Sequence, residues 1–328
     1  MTKTIAVLHM PLTMGMGRAA LHYIDIFESM GYEVLPMNWY DFIHHKRSNI
    51  EPADAIFSFV VPQQSLLTVI HNIVQNYKKR YGMTVWETEE PPLCFQHYVM
   101  MFDVMFAPSK FTISKFKSPM HLLPHHASTT PYDIADVSHA LKHLLSPPGY
   151  KFYSISDFND SRKNVKQLVQ GFLECGFPDA YLVLKHNRMT TDIVNHPRII
   201  NIIGELTDKD MEYLHNKCQC YVNLSFSEGV GLGIVEAAVR NKPIVMTDYG
   251  GQNDYVSTPY LVKTFMGKVG FDEFLFNRKM TWGLPDHDDY VAKLKDAHHD
   301  SLEEQDHSTT RKMVSKKNIK KILKTHGL

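Results

Sequence analysis

A glycine-containing segment with two glutamates carries the residues of this chain whose types and spacing best suit chemistry. It reads Phe226-Ser-Glu-Gly-Val-Gly-Leu-Gly-Ile-Val-Glu236, and it follows a predicted strand and enters a predicted helix. The glycines let the backbone approach a ligand, and the amides and dipole of the first helical turn suit an anion such as a diphosphate. Glu228 and Glu236 can accept hydrogen bonds from two different sets of hydroxyls, one on a ribose and one on a second sugar. The alternative is a purely structural role, in which Glu228 only complements the helix dipole and Glu236 is a surface carboxylate.

Two adjacent basic residues, Arg162 and Lys163, stand at the start of another predicted helix. Positive charge is unfavourable there against the helix dipole unless an anion is bound. We therefore expect both residues to contact an anion.

These segments resemble the family 4 retaining glycosyltransferases, also called glycosyltransferase group 1, which have the two-domain GT-B fold. The Glu228 to Glu236 spacing resembles their E-x7-E signature, and 156–164 resembles their loop that binds the donor diphosphate. The resemblance implies that Glu236 holds the nucleotide ribose and that Glu228 contacts the donor sugar. It implies that Arg162 and Lys163 stabilise the leaving diphosphate in place of a metal, so that they act in catalysis with Glu228. It also places along the donor the residues Gly229, Val230, Gly231 and Leu232.

The amino-terminal half carries a weaker resemblance to the same family. Met14-Gly-Met-Gly-Arg-Ala-Ala20 resembles the family's first glycine loop, which implies that Gly15 and Gly17 lie near the donor. Three further residues are expected on the acceptor or sugar side, namely His9, Glu87 and His125. His126 stands where the family commonly has a glycine, so the backbone freedom of that turn is not expected here.

Alternating apolar runs and amphipathic stretches must position these residues. Such alternation predicts an α/β protein with parallel sheets and crossover helices. Two doubly wound, Rossmann-like halves in the GT-B arrangement would face each other across a cleft, with ligands at the carboxyl ends of the strands. Two prolines and a glycine at 147–149 predict the linker. The predicted domains are an acceptor-side domain at 1–146, a nucleotide-sugar donor domain at 147–300 and a basic carboxy-terminal helix at 301–328. We expect a solvated terminal helix that packs Val314, Ile319, Ile322 and Leu323 on the protein and that could cross back to the first domain. The alternative is a basic amphipathic helix that touches phosphate or a membrane surface.

The composition excludes several classes of protein. The chain has 328 residues, of which 44% are hydrophobic and 21% charged, as in ordinary globular proteins. Its 35 basic and 35 acidic side chains balance, so no overall field indicates a nucleic-acid or membrane partner. The four cysteines form neither a disulfide framework nor a zinc motif, and we interpret Asp286-His-Asp288 as a helix cap rather than a metal site. The amino terminus resembles no signal peptide, and a cytoplasmic location is expected.

The sequence therefore predicts an enzyme that moves a hexose or pentose from a nucleotide-diphosphate sugar to an acceptor hydroxyl of a glycan or glycoconjugate, with no metal or cofactor. Three alternatives stay open. One is a viral or phage-type DNA glycosyltransferase that acts on a modified base, and another is a non-catalytic nucleotide-sugar binding protein. The third is an NAD-dependent oxidoreductase, suggested by the G-x-G-x-x-A match at 15–20. The oxidoreductase is disfavoured because Gly15 does not directly follow the first predicted strand and because no acidic residue ends the second one.

Overall fold

The computed structural model describes residues 3–12, 15–44, 50–157, 159–186, 193–273, 275–300 and 305–328. Met14, the first residue of the predicted amino-terminal glycine loop, and 301–304 of the predicted carboxy-terminal helix lie outside them. The chain divides into two compact units. The first contains Met1–His126, Lys268–Met280 and Lys312–Leu328, and the second contains Ala127–Gly267 and Thr281–Arg311.

Strands and helices alternate through most of both units. The strands are β1 (Lys3–His9), β2 (Tyr32–Asn38), β3 (Ala55–Phe59), β4 (Arg80–Met83), β5 (Val104–Ala107), β6 (His121–Leu122), β7 (Tyr150–Ser156), β8 (Ala180–His186), β9 (Ile199–Ile203), β10 (Cys220–Asn223), β11 (Ile244–Thr247), β12 (Leu261–Val262), β13 (Thr264–Lys268) and β14 (Thr281–Pro285). The helices are α1 (Gly15–Glu28), α2 (Trp39–Ile43), α3 (Leu67–Val74), α4 (Leu93–Val99), α5 (Lys110–Ser114), α6 (His139–Leu144), α7 (Val165–Glu174), α8 (Asp208–Lys217), α9 (Leu232–Val239), α10 (His287–His299), α11 (Ser308–Met313) and α12 (Lys316–Thr325).

The first unit is built on a parallel six-stranded sheet with the order β2-β1-β3-β4-β5-β6. Its central strands are apolar on both faces because helices cover both sides of such a sheet, and Ile5 to Leu8 are completely buried. The distant helix α12 contributes to the same core through Ile319 and Leu323, which are also completely buried. The last residues of the chain are therefore part of this first unit.

The second unit has a parallel sheet with the order β12-β11-β10-β7-β8-β9. From the central strand β7 the chain runs outward through β8 and β9. It then returns to the centre at β10 and continues through β11 and β12 in the opposite direction. The point where the strand order reverses lies between β7 and β10, and ligands of open α/β sheets bind beside the carboxyl ends of such a pair of strands.

The boundary between the units lies after His126, before the linker that the sequence predicts at 146/147. Segment 127–146 packs with the second unit because side chains of α8 hold its backbone. The Glu212 carboxylate accepts a hydrogen bond from Thr130 N at 2.6 Å, and Asp210 accepts one from Ser138 N at 2.8 Å. The basic carboxy-terminal segment forms two helices rather than one, because the Ser315 side chain caps the start of α12. No helix in the described part of the chain is long and apolar enough to cross a membrane.

Candidate functional site

The loops that follow β7 and β10 are joined to each other at the switch point of the second sheet. Phe226 N donates a hydrogen bond to the carbonyl oxygen of Arg162 at 2.9 Å. Asn164 Nδ2 donates to the carbonyl oxygen of Leu224 at 3.2 Å. Side chains that are more than sixty positions apart in the sequence are thereby held beside neighbouring strand ends.

The turn after β7 presents its two cations in a fixed conformation. The Asp160 carboxylate accepts a hydrogen bond from Arg162 N at 3.1 Å and begins a short 3₁₀ turn over Ser161–Lys163. Asn164 ends that turn with a φ of 51°, in the left-handed region that asparagine tolerates better than most residues. Helix α7 then starts at Val165, so Arg162 and Lys163 stand just before its first turn.

Glu228 forms the centre of an ion cluster with these two cations. Its Oε2 accepts a hydrogen bond from Arg162 Nη1 at 2.9 Å, and its Oε1 accepts one from Lys163 Nζ at 2.6 Å. Ser225 Oγ donates to the same Oε1 at 2.8 Å. The guanidinium of Arg162 also reaches the Ser227 carbonyl oxygen at 2.7 Å and the Asp160 carboxylate at 2.9 Å. We call Asp160, Arg162, Lys163 and Glu228 the switch-point cluster.

The Glu228 carboxylate is ionised within this cluster. Burial alone would raise its pKa, but the charges of Lys163 and Arg162 and the hydrogen bonds from Lys163 and Ser225 hold the pKa well below its usual range. The formal charges of the switch-point cluster cancel, because two carboxylates face two cations. Lys163 is the more exposed of the cations, with 18% of its side chain accessible against 11% for Arg162.

The glycine segment after β10 lets the backbone fold tightly around Glu228. Gly231 precedes the first residue of α9 and has a φ of +73°, and no described side chain caps this helix end. A Cβ on Gly233 would lie 2.2 Å from Tyr221 Oη, so only glycine allows α9 to start this close to β10. Gly251 N donates to the Glu228 carbonyl oxygen. The neighbouring Gly229, Val230 and Gly231 are buried, and Leu232 is half-buried.

Glu236 projects from the second turn of α9 and is partly exposed, with 31% of its side chain accessible. Its Oε2 lies 3.7 Å from Nε2 of the buried His215 on α8. His215 Nδ1 in turn lies 2.7 Å from the hydroxyl oxygen of Tyr153 on β7. His215 and Tyr153 are not predicted from the sequence, because no motif surrounds them. Asn223, whose Nδ2 donates to Glu228 Oε1 at 3.3 Å, and Ser225 were not predicted either, although two polar residues at a strand end are a signal of a site.

The first unit holds the remaining predicted site residues. His9 is buried, and its Nδ1 lies 2.8 Å from the carbonyl oxygen of Met10. His125 is 2% exposed and its ring packs edge-on against Tyr23, and burial lowers its pKa to about 3. Glu87 is half-buried. The assignment of these three residues to the acceptor or sugar side stays a prediction.

The two amino-terminal glycines differ in their surroundings. A Cβ on Gly17 would lie 2.1 Å from the Pro11 carbonyl oxygen, which makes this glycine necessary for the packing of α1 on the preceding loop. A Cβ on Gly15 would meet no heavy atom within 4 Å. Within the described ranges no three histidine, cysteine, aspartate or glutamate side chains group as metal ligands.

Comparisons with known proteins agree with this architecture. Residues 194–264 match the profile of the family described as Glycosyl transferases group 1. No curated protein sequence matches the chain. Among solved structures, a glycosyltransferase from Rickettsia africae ESF-5 is similar with a TM-score of 0.67 and 12% identity, over 99% of this chain and 97% of that one.

Two further solved structures cover nearly the whole chain. Sucrose-phosphate synthase from Thermosynechococcus elongatus has a TM-score of 0.64 and 11% identity, over 98% of this chain and 94% of that one. A trehalose-6-phosphate protein from E. coli bound with UDP-2-fluoro glucose has a TM-score of 0.64 and 9% identity, over 99% of this chain and 98% of that one. The two parallel six-stranded sheets and these neighbours define the GT-B fold, and with the group 1 match they identify the chain as a glycosyltransferase.

Proposed function

We propose that this glycosyltransferase moves a sugar from a nucleoside-diphosphate sugar to an acceptor hydroxyl of a glycan or glycoconjugate, with retention of the anomeric configuration and without a metal. The observation that carries the proposal is the switch-point cluster. It brings Arg162, Lys163 and Glu228 into hydrogen-bond contact at the carboxyl ends of β7 and β10, where α/β sheets bind ligands.

The cations of the cluster suit the diphosphate of such a donor. An ammonium has three N–H donors, and the described contacts of Lys163 use one of them on Glu228. The start of α9 adds backbone amides and the positive end of a helix dipole. As the bond between the sugar carbon and the phosphate oxygen breaks, negative charge grows on the diphosphate, and these groups stabilise it. The acceptor oxygen then bonds to the sugar carbon, and the departing phosphate oxygen takes the acceptor's proton.

Glu236 is the proposed ribose ligand. A carboxylate accepts hydrogen bonds from both hydroxyls of a ribose, and Glu236 lies in the second turn of α9, just beyond the loop that holds Glu228. Gly229, Val230, Gly231 and Leu232 form the backbone between the two carboxylates and would lie along the donor. In the first unit, Gly15, Gly17, His9, Glu87 and His125 stay proposed contacts to donor or acceptor.

A donor screen tests this proposal. The protein is incubated with UDP-, GDP-, ADP-, CDP- and dTDP-sugars, while thermal stability and diphosphate release are followed with magnesium and with EDTA. We expect one nucleotide to raise the melting temperature and its diphosphate to be released equally in both conditions. Glu236→Gln should weaken the binding of that nucleotide about tenfold or more, because hydrogen bonds to a charged group contribute about 1.5 to 3 kcal/mol.

Glu174→Gln provides the matched control for that variant. Glu174 ends α7 and contacts His287, and its side chain is 52% exposed, so nucleotide affinity should not change. Stabilisation by NAD(H) and by no nucleoside diphosphate would contradict the proposal and favour the oxidoreductase alternative. Nucleotide binding with no turnover of any donor would favour the non-catalytic alternative.

A DNA acceptor is the second candidate, and the lysines of α12 favour it. Lys316, Lys317, Lys320, Lys321 and Lys324 line a shallow groove on the surface of this helix. Lysines that contact phosphates make binding strongly dependent on salt. Duplex DNA should then bind about a hundredfold or more weaker when salt rises from about 50 to about 200 mM. Binding to anionic vesicles without binding to DNA would instead indicate membrane contact.

A further inference from the structure

Three side chains from three elements of the second unit form a line that ends at Glu236. Tyr153 lies on β7, His215 on α8 and Glu236 on α9. The hydroxyl oxygen of Tyr153 and Nδ1 of His215 are 2.7 Å apart, and the two rings meet edge to face at 82°. His215 Nε2 is 3.7 Å from Glu236 Oε2.

This line runs from the interior of the unit to its surface. Tyr153 is completely buried and His215 is 1% exposed, whereas 31% of the Glu236 side chain is accessible. A buried polar pair costs free energy unless its hydrogen bonds are satisfied, and here each member satisfies the other. The pair also has a fixed geometry, because Tyr153 packs edge-on against Tyr221 with ring centres 4.9 Å apart.

The protonation states of the pair determine which proton faces Glu236. Burial lowers the pKa of His215 and raises that of Tyr153, so both are neutral near pH 7. A neutral imidazole carries a proton on one nitrogen only. If Tyr153 donates to Nδ1, the imidazole proton is on Nε2 and points at the carboxylate. The other tautomer would direct the Nε2 lone pair at a negative charge and is therefore disfavoured.

Besides Glu236, two charged side chains act on His215, namely Arg240 and Glu212, and they pair with each other. The guanidinium of Arg240 makes a salt bridge with Glu212, and its Nε lies 2.9 Å from Glu212 Oε2. Its Nη1 donates to the main-chain carbonyl oxygen of Glu236 at 2.6 Å. Arg240 thus holds the backbone of α9, while His215 faces the carboxylate of the same residue.

We propose that Tyr153 and His215 are positioning residues that orient the Glu236 carboxylate for the ribose hydroxyls of the donor. The inference rests on the proposed function, because it takes Glu236 as the ribose ligand. Tyr153 fixes the tautomer of His215, and the Nε2–H group attracts Glu236 Oε2. At 3.7 Å this contact is longer than a hydrogen bond, and contacts of this kind shorten when a ligand is bound.

The test measures how strongly the protein discriminates between ligands with and without ribose hydroxyls. The probes are UDP, GDP, ADP and CDP, each compared with its dideoxy counterpart, which lacks both hydroxyls. The ratio of the two dissociation constants is determined for the nucleotide that the wild type binds. We expect the wild type to bind the ribonucleotide about tenfold or more tightly than its dideoxy counterpart. For Glu236→Gln we expect the ratio of the two dissociation constants to be near one.

Two histidine variants separate the two ring nitrogens. In His215→Gln the side-chain amide can reach the place of Nε2 and still donate to Glu236. In His215→Asn the amide reaches only the place of Nδ1. In His215→Gln we expect the ratio to stay within about twofold of the wild-type value. In His215→Asn and in Tyr153→Phe we expect it to fall about threefold or more. The affinity for the dideoxy probe should be unchanged in all three variants.

Tyr290→Phe is the matched control for the loss of a buried hydroxyl. Tyr290 is completely buried in the same unit, and its hydroxyl donates to the Leu168 carbonyl oxygen at 2.9 Å. Its ratio should equal that of the wild type, although its melting temperature falls. Wild-type ratios in Tyr153→Phe and His215→Asn, together with a ratio near one in Glu236→Gln, would overturn this inference alone. A wild type that binds only dTDP, which lacks the 2′-hydroxyl, would also overturn this inference alone. A wild type that binds none of the five nucleoside diphosphates of the donor screen, or an unchanged ratio in Glu236→Gln, would overturn the proposed function as well.

Discussion

Glu228 stabilises the second unit because it is a buried carboxylate between two cations. Its side chain is 5% exposed, and it contacts both Arg162 and Lys163. Removal of one partner from a buried ion pair leaves an uncompensated charge, which costs about 3 to 5 kcal/mol. This residue therefore links the stability of the fold to the same contacts that a diphosphate would use.

Glu228→Gln should lower the free energy of unfolding by about 3 kcal/mol at neutral pH, because it leaves Arg162 and Lys163 without their shared counter-charge. Urea denaturation measures the change. Glu174→Gln, at an exposed position, should stay within about 0.5 kcal/mol of wild type. Wild-type stability in Glu228→Gln would mean that water or other groups compensate the two cations.

The difference in unfolding free energy between wild type and Glu228→Gln should depend on pH. The pKa of Glu228 is lower in the folded than in the unfolded chain, so its contribution is complete above the unfolded value of about 4.3 and declines as the pH falls below it. The difference in unfolding free energy between wild type and Glu228→Gln should therefore be smaller at about pH 3 than at about pH 7. A difference that grows on acidification would contradict the ionised state of Glu228.

The sequence pointed to several residues of the candidate site, but not to the contacts between them. The glycines and the Glu228 to Glu236 spacing are local features of one loop and helix, and they predict a ligand-binding segment after a strand. The pairing of Arg162 with Glu228 spans 66 positions, and that of Tyr153 with His215 spans 62. Such contacts depend on rotamers and on strand order, which periodicity does not contain. The sequence accordingly predicted cations open to an anion, whereas the structure pairs them with Glu228.

At the scale of the element, the entry of α9 depends on the absence of a side chain at Gly233. The Cα of this residue faces Tyr221 on β10, and a Cβ would lie 2.2 Å from the hydroxyl oxygen and 3.0 Å from the ring carbon that carries it. Helix α9 holds both the amides proposed for the diphosphate and Glu236, so a displacement of its first turn would affect both ends of the proposed donor site.

Gly233→Ala should destabilise the protein by about 1 to 3 kcal/mol, because the new methyl group forces α9 or Tyr221 to move. Adding Tyr221→Phe should recover part of this loss, since it removes the closest atom but leaves the ring carbon. Thermal denaturation of the single and double variants measures both effects. Gly15→Ala, at the first position of α1 with no atom within 4 Å, should be neutral or slightly stabilising. A double variant no better than Gly233→Ala would show that the hydroxyl is not the obstacle.

Most elements were predictable because the strands of covered parallel sheets are continuous apolar runs and the helices between them are amphipathic. The boundary between the two units after His126 could not be predicted, because the hydrogen bonds from Thr130 and Ser138 to the carboxylates of α8 have no local sequence signal. The prolines at 147–148 mark a turn before β7 that lies inside the second unit.

At the scale of the whole molecule, the chain passes between the two units four times and ends in the first, at Lys312–Leu328. Val314 of the returning segment is completely buried, and its carbonyl oxygen lies 2.8 Å from His126 Nδ1. The lysines of α12 cover the outer side of the helix, while Ile319 and Leu323 face the core. The first unit is therefore complete only after the second has been synthesised.

This topology predicts that a substitution near the end of the chain destabilises the sheet at its beginning. Leu323→Ala should cost about 2 to 5 kcal/mol, since it removes a completely buried side chain, while Lys321→Ala on the exposed face of the same helix should change stability by less than about 0.5 kcal/mol. Hydrogen exchange measured by mass spectrometry locates the effect, because peptides of β1 and β3 should lose protection and those of β7 and β10 should keep it. Equal exchange in the two variants would mean that α12 contributes only its lysines and that the first unit folds without it.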